Sequence, residues 1–212
     1  MASADQQSVE HGTFVLADIS GYTAFLQAVG EAHAADMAAG TFVPRAYPLL
    51  TSLLDGIVEK IAPPFTLSKV EGDAVFAFAA DGEPPPRGQA LLDCLNGCYA
   101  GYRARVDEAS ELMICDCNAC LSIGELELKF VLHHGNYVIQ PVAGRPELLG
   151  PDVTVAHLLL KNHAAELIGR AAYALITDAA GEHLEVPLDD ALPIVERYEH
   201  YQPVPARVLA LS

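Results

Sequence analysis

Two aspartates and a lysine stand where their side chains could do chemistry. Asp18 closes a short apolar run, FVLADISG, and Asp73 sits in the tight EGD turn of SKVEGDAVFAF, four residues after Lys69. A carboxylate at the end of a buried strand is costly to desolvate unless a cation or a donor meets it. For Asp18 two partners are open: a bound metal, or the amides of a helix starting at Ser20 and Gly21, which Asp18 would cap. Asp73 taken alone is also ordinary turn chemistry, since Gly-Asp suits hairpins. Two carboxylates meeting at one sheet edge, however, would hold one or two hard divalent cations, Mg2+ or Mn2+.

A second group is the run CDCNAC, with Cys115, Cys117 and Cys120. Its spacing fits a structural Zn2+, with Cys98 or Cys94 from the preceding helix as the fourth ligand. Cys94 and Cys98 are four apart and therefore share one helix face. Ordinary reduced thiols and a redox sensor are the other readings of the same residues.

The surroundings narrow the partners. With 28 acidic against 12 basic residues the chain carries a formal net charge of −16, which repels nucleic-acid backbones and anionic membranes. A small nucleotide stays compatible, because divalent cations bridge carboxylates to phosphates. The 212 residues, 51% of them hydrophobic, suit one globular domain. No apolar run nears the ~18 residues of a membrane helix. The start, MASADQQSVEHG, is polar and acidic rather than a secretory leader. A cytoplasmic protein with reduced thiols is expected, with residues 1–12 as a flexible tail and 13–212 as a single domain.

The elements that must position these groups follow from periodicity. The spacing predicts a strand at 13–18 and a helix opening near Ser20. YPLLTSLLDGIVEKIA places Leu50, Leu53, Ile57 and Ile61 on one helical face. FTLSKVEGDAVFAFA reads as a hairpin around EGD. A helix over 86–110 follows, then a second hairpin in LELKFVLHHGNYVIQPVA pivoting at Gly135-Asn136. GPDVTVAHLLLKNHAAELI reads as a helix, YALIT as a strand, and 194–211 as two closing strands. The order β-α-α-β-β-α-β-β-α-β-α-β-β predicts an α+β, ferredoxin-like fold: a mostly antiparallel sheet with helices on one face. That layout brings the end of the first strand beside the tip of the first hairpin, and so Asp18 beside Asp73.

At these residues the sequence resembles the class III adenylate/guanylate cyclase superfamily, as a branch marked by its cysteine cluster. FVLADISGYTAFL is similar to that family's opening strand with its metal-binding aspartate, and SKVEGDAVFAF to its hairpin with the second. LKFVLHHG and ELLGPDVTVAHLLL resemble the segments that follow. The resemblance implies the nucleotidyl-cyclase fold, Asp18 and Asp73 as metal ligands with the Ile19 carbonyl as a further one, and Lys69 and Glu147 as the purine-reading pair. It also implies a head-to-tail homodimer in which that pair faces the metals of the other subunit. A Lys with a carboxylate suits adenine, offering a donor to a ring nitrogen and an acceptor to the exocyclic amine.

The departures bear on activity. The family's transition-state Asn falls at Thr154, its Arg at Leu158, and its phosphate-holding Lys at about His200. Leu158 offers neither charge nor hydrogen bond, although donors of this kind are each worth about 10²–10³ in rate. His157, beside it, is the one candidate substitute donor. Three functions follow as expectations. The first is a degenerate cyclase homologue that binds a purine nucleotide or another phosphate ligand with a divalent metal. The second is a working adenylate cyclase making cyclic AMP, and the third is a non-enzymatic, zinc-stabilised interaction module.

Overall fold

The computed structural model describes residues 8–83, 85–112, 115 and 117–212. In chain order its elements are β1 (Glu10–Ser20), α1 (Tyr22–Ala32), α2 (Ala34–Ala38), α3 (Ala46–Ile61), β2 (Thr66–Glu71), β3 (Ala74–Ala80), α4 (Gln89–Glu111), α5 (Asn118–Leu121) and a 3₁₀ turn (Ser122–Glu125). There follow β4 (Glu127–Val142), β5 (Arg145–Leu149), α6 (Pro151–Leu158), α7 (Ala164–Ile168), β6 (Tyr173–Thr177), α8 (Asp178–His183), β7 (Leu192–Glu196) and β8 (Val204–Ala210). Seven strands lie in the order β2-β3-β1-β4-β6-β8-β7, and β5 pairs the far end of β4. Every pairing is antiparallel except that of β4 with β6. This is an α+β fold with a mostly antiparallel sheet, as the order of elements predicts. No helix among the described residues is long and apolar enough to cross a membrane.

Helices cover both faces of the sheet rather than one. In β1, Phe14, Val15, Leu16 and Ala17 are each 0% exposed. Val15, Ala17 and Ile19 pack with Leu50, Leu53 and Ile57 of α3 and with Leu91 and Leu95 of α4. Phe14 and Leu16 point the other way, into a second core with Val131, Leu148 and the α6 residues Val153 and Ala156. A strand buried on both sides needs an unbroken apolar run instead of alternation, and FVLA is such a run. Of the tail expected over residues 1–12, residues 1–7 lie outside the described residues, and Glu10 to Gly12 already belong to β1.

The hairpin expected to pivot at Gly135-Asn136 turns elsewhere. β4 runs unbroken for 16 residues, and the chain reverses at Ala143-Gly144, both with positive φ, into β5. Gly135 serves a different purpose. It pairs with Gly12 across the ladder, and a Cβ there would collide with the side chain of Asp152. Asp152 uses that closeness to accept a 2.7 Å hydrogen bond from the Asn136 amide. The long helix expected over 150–168 is likewise broken. Asn162 sits between α6 and α7, its side chain donating to Leu159 O and accepting from the Ala164 amide and the Tyr173 hydroxyl.

Candidate functional site

Asp18 does not cap a helix. The N-cap of α1 is Gly21, in the left-handed region at φ 89°, with no side-chain cap. Asp18 instead stands opposite Lys129 in the β1–β4 register. Lys129 Nζ lies 2.9 Å from Asp18 Oδ2, their side chains only 15% and 13% exposed, and it also donates to Leu160 O at 3.1 Å. Asp73 follows Gly72 in the β2–β3 turn, and its carbonyl accepts from the Ile19 amide at 3.2 Å. Burial first, and the nearby charge of Asp18 second, push the Asp73 carboxyl above the usual carboxylate range, with Lys129 offsetting part of the rise. The Ile19 side chain is fully buried in the core, so only its main chain can serve this corner. Both carboxylates are hard oxygen donors, the type a divalent cation takes, and Asp18 is already in ion-pair contact with Lys129.

The second pair is built by β2 and β5. A bulge between Leu67 and Lys69 shifts the β2 register, a device that re-aims strand side chains. Lys69 Nζ lies 3.0 Å from Glu147 Oε2 and 2.9 Å from Glu71 Oε1. Hydrogen bonds to Glu71 and Glu147 raise the Lys69 ammonium above its ordinary value. Burial pushes the Glu71 carboxyl up, but Lys69 and His157 together draw it below its usual range. Both nitrogens of His157 face oxygens: Nδ1 is 2.9 Å from Val153 O and Nε2 is 3.2 Å from Glu71 Oε2. Thr154 turns its hydroxyl back to Gly150 O, and Leu158 ends α6 half-buried. His200 sits in an exposed turn at φ 70°, beside Glu199. Among the described residues no hydrogen bond or ion pair joins the Lys69–Glu147 pair to Asp18 or Asp73.

Cys115, Cys117 and Cys120 converge, but the fourth member of their group is His33 and not Cys98. Cys98 lies on the buried face of α4, 1% exposed, where burial first and neighbouring Cys94 second push its thiol up to about 12. Its helical phase turns it into the core. His33, between α1 and α2, stands 82 residues before Cys115, so no spacing rule points to it. Lys129 did carry a signal, a lone lysine inside the apolar strand LKFVLHHG. A further trio, Asp81, His134 and His183, is a stack rather than a ligand set. The two imidazoles lie 3.8 Å apart and 12° from parallel, so their in-plane lone pairs do not converge on one point.

Comparison with known proteins agrees with this architecture. The family described as "Protein of unknown function (DUF2652)" matches residues 50–167. The uncharacterized protein Rv2561/Rv2562 of Mycobacterium tuberculosis is 28% identical over 151 residues, 71% of this chain and 68% of that protein. The adenylyl cyclase CyaB from P. aeruginosa superposes with a TM-score of 0.63 at 14% identity, over 98% of this chain and 97% of that one. A class III adenylyl cyclase-like ATP-binding protein from Pseudomonas aeruginosa superposes with a TM-score of 0.56 at 12% identity, over 84% of this chain and 35% of that one. At such identities the likeness is one of fold, and the fold is that of the class III cyclases. The family match spans more than half of the chain, from α3 through the cysteine run to α7; the protein belongs to the DUF2652 family, on a class III nucleotidyl cyclase fold.

Proposed function

We propose that this protein is a degenerate class III cyclase homologue: it binds a purine nucleotide, or another phosphate-bearing ligand, with a divalent cation, and its cyclase turnover is weak or lost. The observation that carries this reading is the Lys69–Glu147 pair, drawn to 3.0 Å from positions 78 residues apart. An ammonium has three N–H donors. Glu71 and Glu147 take two from Lys69, and the third is left for a ring nitrogen. The second oxygen of Glu147 is left for an exocyclic amine. Donor and acceptor thus stand side by side, as the edge of an adenine requires.

Asp18 and Asp73 are the residues that would hold the cation, which supplies the positive charge that joins carboxylates to a triphosphate in a chain of net charge −16. Two of the positions that should stabilise charge on the reacting phosphate lack donors for it. Leu158 has none, and the Thr154 hydroxyl already donates within its own helix. The P. aeruginosa protein described as ATP-binding indicates that this fold also serves in binding. The reading includes a homodimer, with Lys69 and Glu147 of one subunit facing the carboxylates of the other. The absence of direct contact between the two pairs within one described chain favours it, as do the exposed Leu67 and Val70 on the edge strand β2.

Calorimetric titration with ATP and GTP, with and without Mn2+, tests this alongside an assay for cyclic AMP. Saturable, Mn2+-dependent ATP binding is expected, lost in Asp18→Asn and Asp73→Asn. Glu147→Ala should weaken it at least about tenfold, the equivalent of ~1.4 kcal/mol. No binding by either nucleotide would sink the purine-nucleotide reading. Cyclic AMP formed at about 1 s⁻¹ or faster, a normal enzymatic rate, would establish the working cyclase in its place.

A further inference from the structure

We propose that His33, Cys115, Cys117 and Cys120 form a structural zinc site, with three thiolates and His33 Nε2 as its ligands. His33 Nε2 lies 3.5, 3.3 and 3.5 Å from the Sγ atoms of Cys115, Cys117 and Cys120. Hydrogen bonding does not account for that arrangement. An imidazole nitrogen has one lone pair or one proton, and can serve one sulfur at a time. Near-equal distances to three sulfurs are instead what a shared central ion imposes. With Zn–S near 2.3 Å and Zn–N near 2.0–2.1 Å, the N···S edge of a tetrahedron is about 3.6 Å. The observed edges are close to it, and all four ligand atoms lie within 4.8 Å of one another.

The surroundings agree with metal binding. The Cys120 amide donates to Cys117 Sγ at 3.4 Å, as outer-shell donors do for metal-bound thiolates. Phe42 packs its ring 5.5 Å from that of His33. His33, Cys115 and Cys117 are half-buried and Cys120 is buried, so an ion can enter while the finished site stays largely covered. Four protein ligands complete the coordination and leave no position for substrate, which marks a structural ion and not a catalytic one. The site ties the α1–α2 junction to the α4–α5 connection. It thereby braces α1, which begins four residues after Asp18, against the segment that leads into β4.

Zinc content is measured without nucleotide, so its outcome is independent of the ATP titration. The full chain, purified under reducing conditions without chelator, is expected to carry about one zinc per molecule. Replacement by Co2+ should give the visible bands of a tetrahedral ion with a thiolate charge-transfer band. Cys120→Ser and His33→Ala should lose the metal. His33→Cys should keep it with a stronger charge-transfer band, and Cys98→Ala should keep it unchanged. Should Cys120→Ser not fold, the cobalt spectra of the wild type and of His33→Cys still decide. Folded, metal-free protein with no cobalt spectrum, or a Cys98→Ala variant that loses zinc as fully as His33→Ala, overturns the proposal.

Discussion

Lys129 and Asp18 face each other across the β1–β4 ladder with 2.9 Å between Nζ and Oδ2, both side chains nearly sealed from water. The carboxylate at the end of a buried strand is therefore met by a cation of the chain itself. A divalent ion would be a second partner, shared with Asp73, whose carboxyl is pushed up by burial and by the charge of Asp18.

Removing the lysine should expose that balance. Lys129→Met leaves Asp18 buried without its partner, a change that costs about 3–5 kcal/mol. Because the remaining pair of carboxylates then repels without relief, added Mn2+ should restore part of the loss by mass action. Urea unfolding with and without Mn2+ measures both effects. A variant within about 0.5 kcal/mol of the wild type would mean that the pair is not structural.

Gly135, within β4, and Gly144, at the β4–β5 reversal, should respond unequally. Gly135→Ala drives a methyl group into Asp152 and should cost about 1–3 kcal/mol, as overpacking does. Gly144→Ala meets open space and strains only a φ of +78°, so about 1 kcal/mol is expected. Thermal unfolding of both variants checks the order, and the reverse order would mean that the Gly135–Asp152 approach is not tight.

Acidification should destabilise the fold through His133 and His134. Burial lowers the His133 pKa against a partial pull from Asp152; burial first, then the charge of His183, lowers that of His134. The unfolded chain therefore takes up protons first. Stability is at its full value above about pH 6.5 and is lost as the pH falls through the lower folded values. His163 runs the other way, since its bond to Glu196 raises its pKa, but it is exposed to solvent and weighs little. The Tm should fall between pH 7 and 5, and His133→Asn should flatten that slope. An unchanged slope in the variant removes His133 from the account.

Restoring the missing donors should restore chemistry if the nucleotide and metal reading holds. Thr154 and Leu158 lie one turn apart on α6, and the double variant Thr154→Asn, Leu158→Arg places an amide and a guanidinium there. Cyclic AMP formation with Mn2+ and ATP should rise by about 10²–10³ over the parent. ATP binding without any gain in turnover would mean that the backbone at α6 no longer aims those positions at the phosphate.

Features carried by local periodicity were legible in the sequence: the α3 stripe, the β2–β3 hairpin and the order of elements all follow from residues close together in the chain. What depended on register between distant segments was not. Gly135-Asn136 has the composition of a turn, yet its glycine answers to Asp152, 17 residues on, because only the folded ladder brings α6 against β4. Lys129 stood in plain view, but its partner is set by a strand more than a hundred residues earlier. Cys98 has sensible spacing from the cysteine run, but α4 turns its face to the core and His33 occupies the fourth corner. Lys69 and Glu147 could be named as a pair only through the family resemblance, since nothing local links β2 to β5.

The burial of β1 on both faces has a cost outside the folded state. From Thr13 to Ile19 the strand is apolar and rich in β-formers, and Asp18 is the only Asp, Glu, Lys or Arg between Glu10 and Glu31. An unfolded or nascent chain presents this segment to its neighbours as a template for intermolecular strand pairing. Asp18 interrupts it with a charge, the role of a gatekeeper residue. One carboxylate thus keeps the segment soluble before folding and meets Lys129 after it. Exchanging it for a neutral residue should raise aggregation during refolding even where the native fold survives.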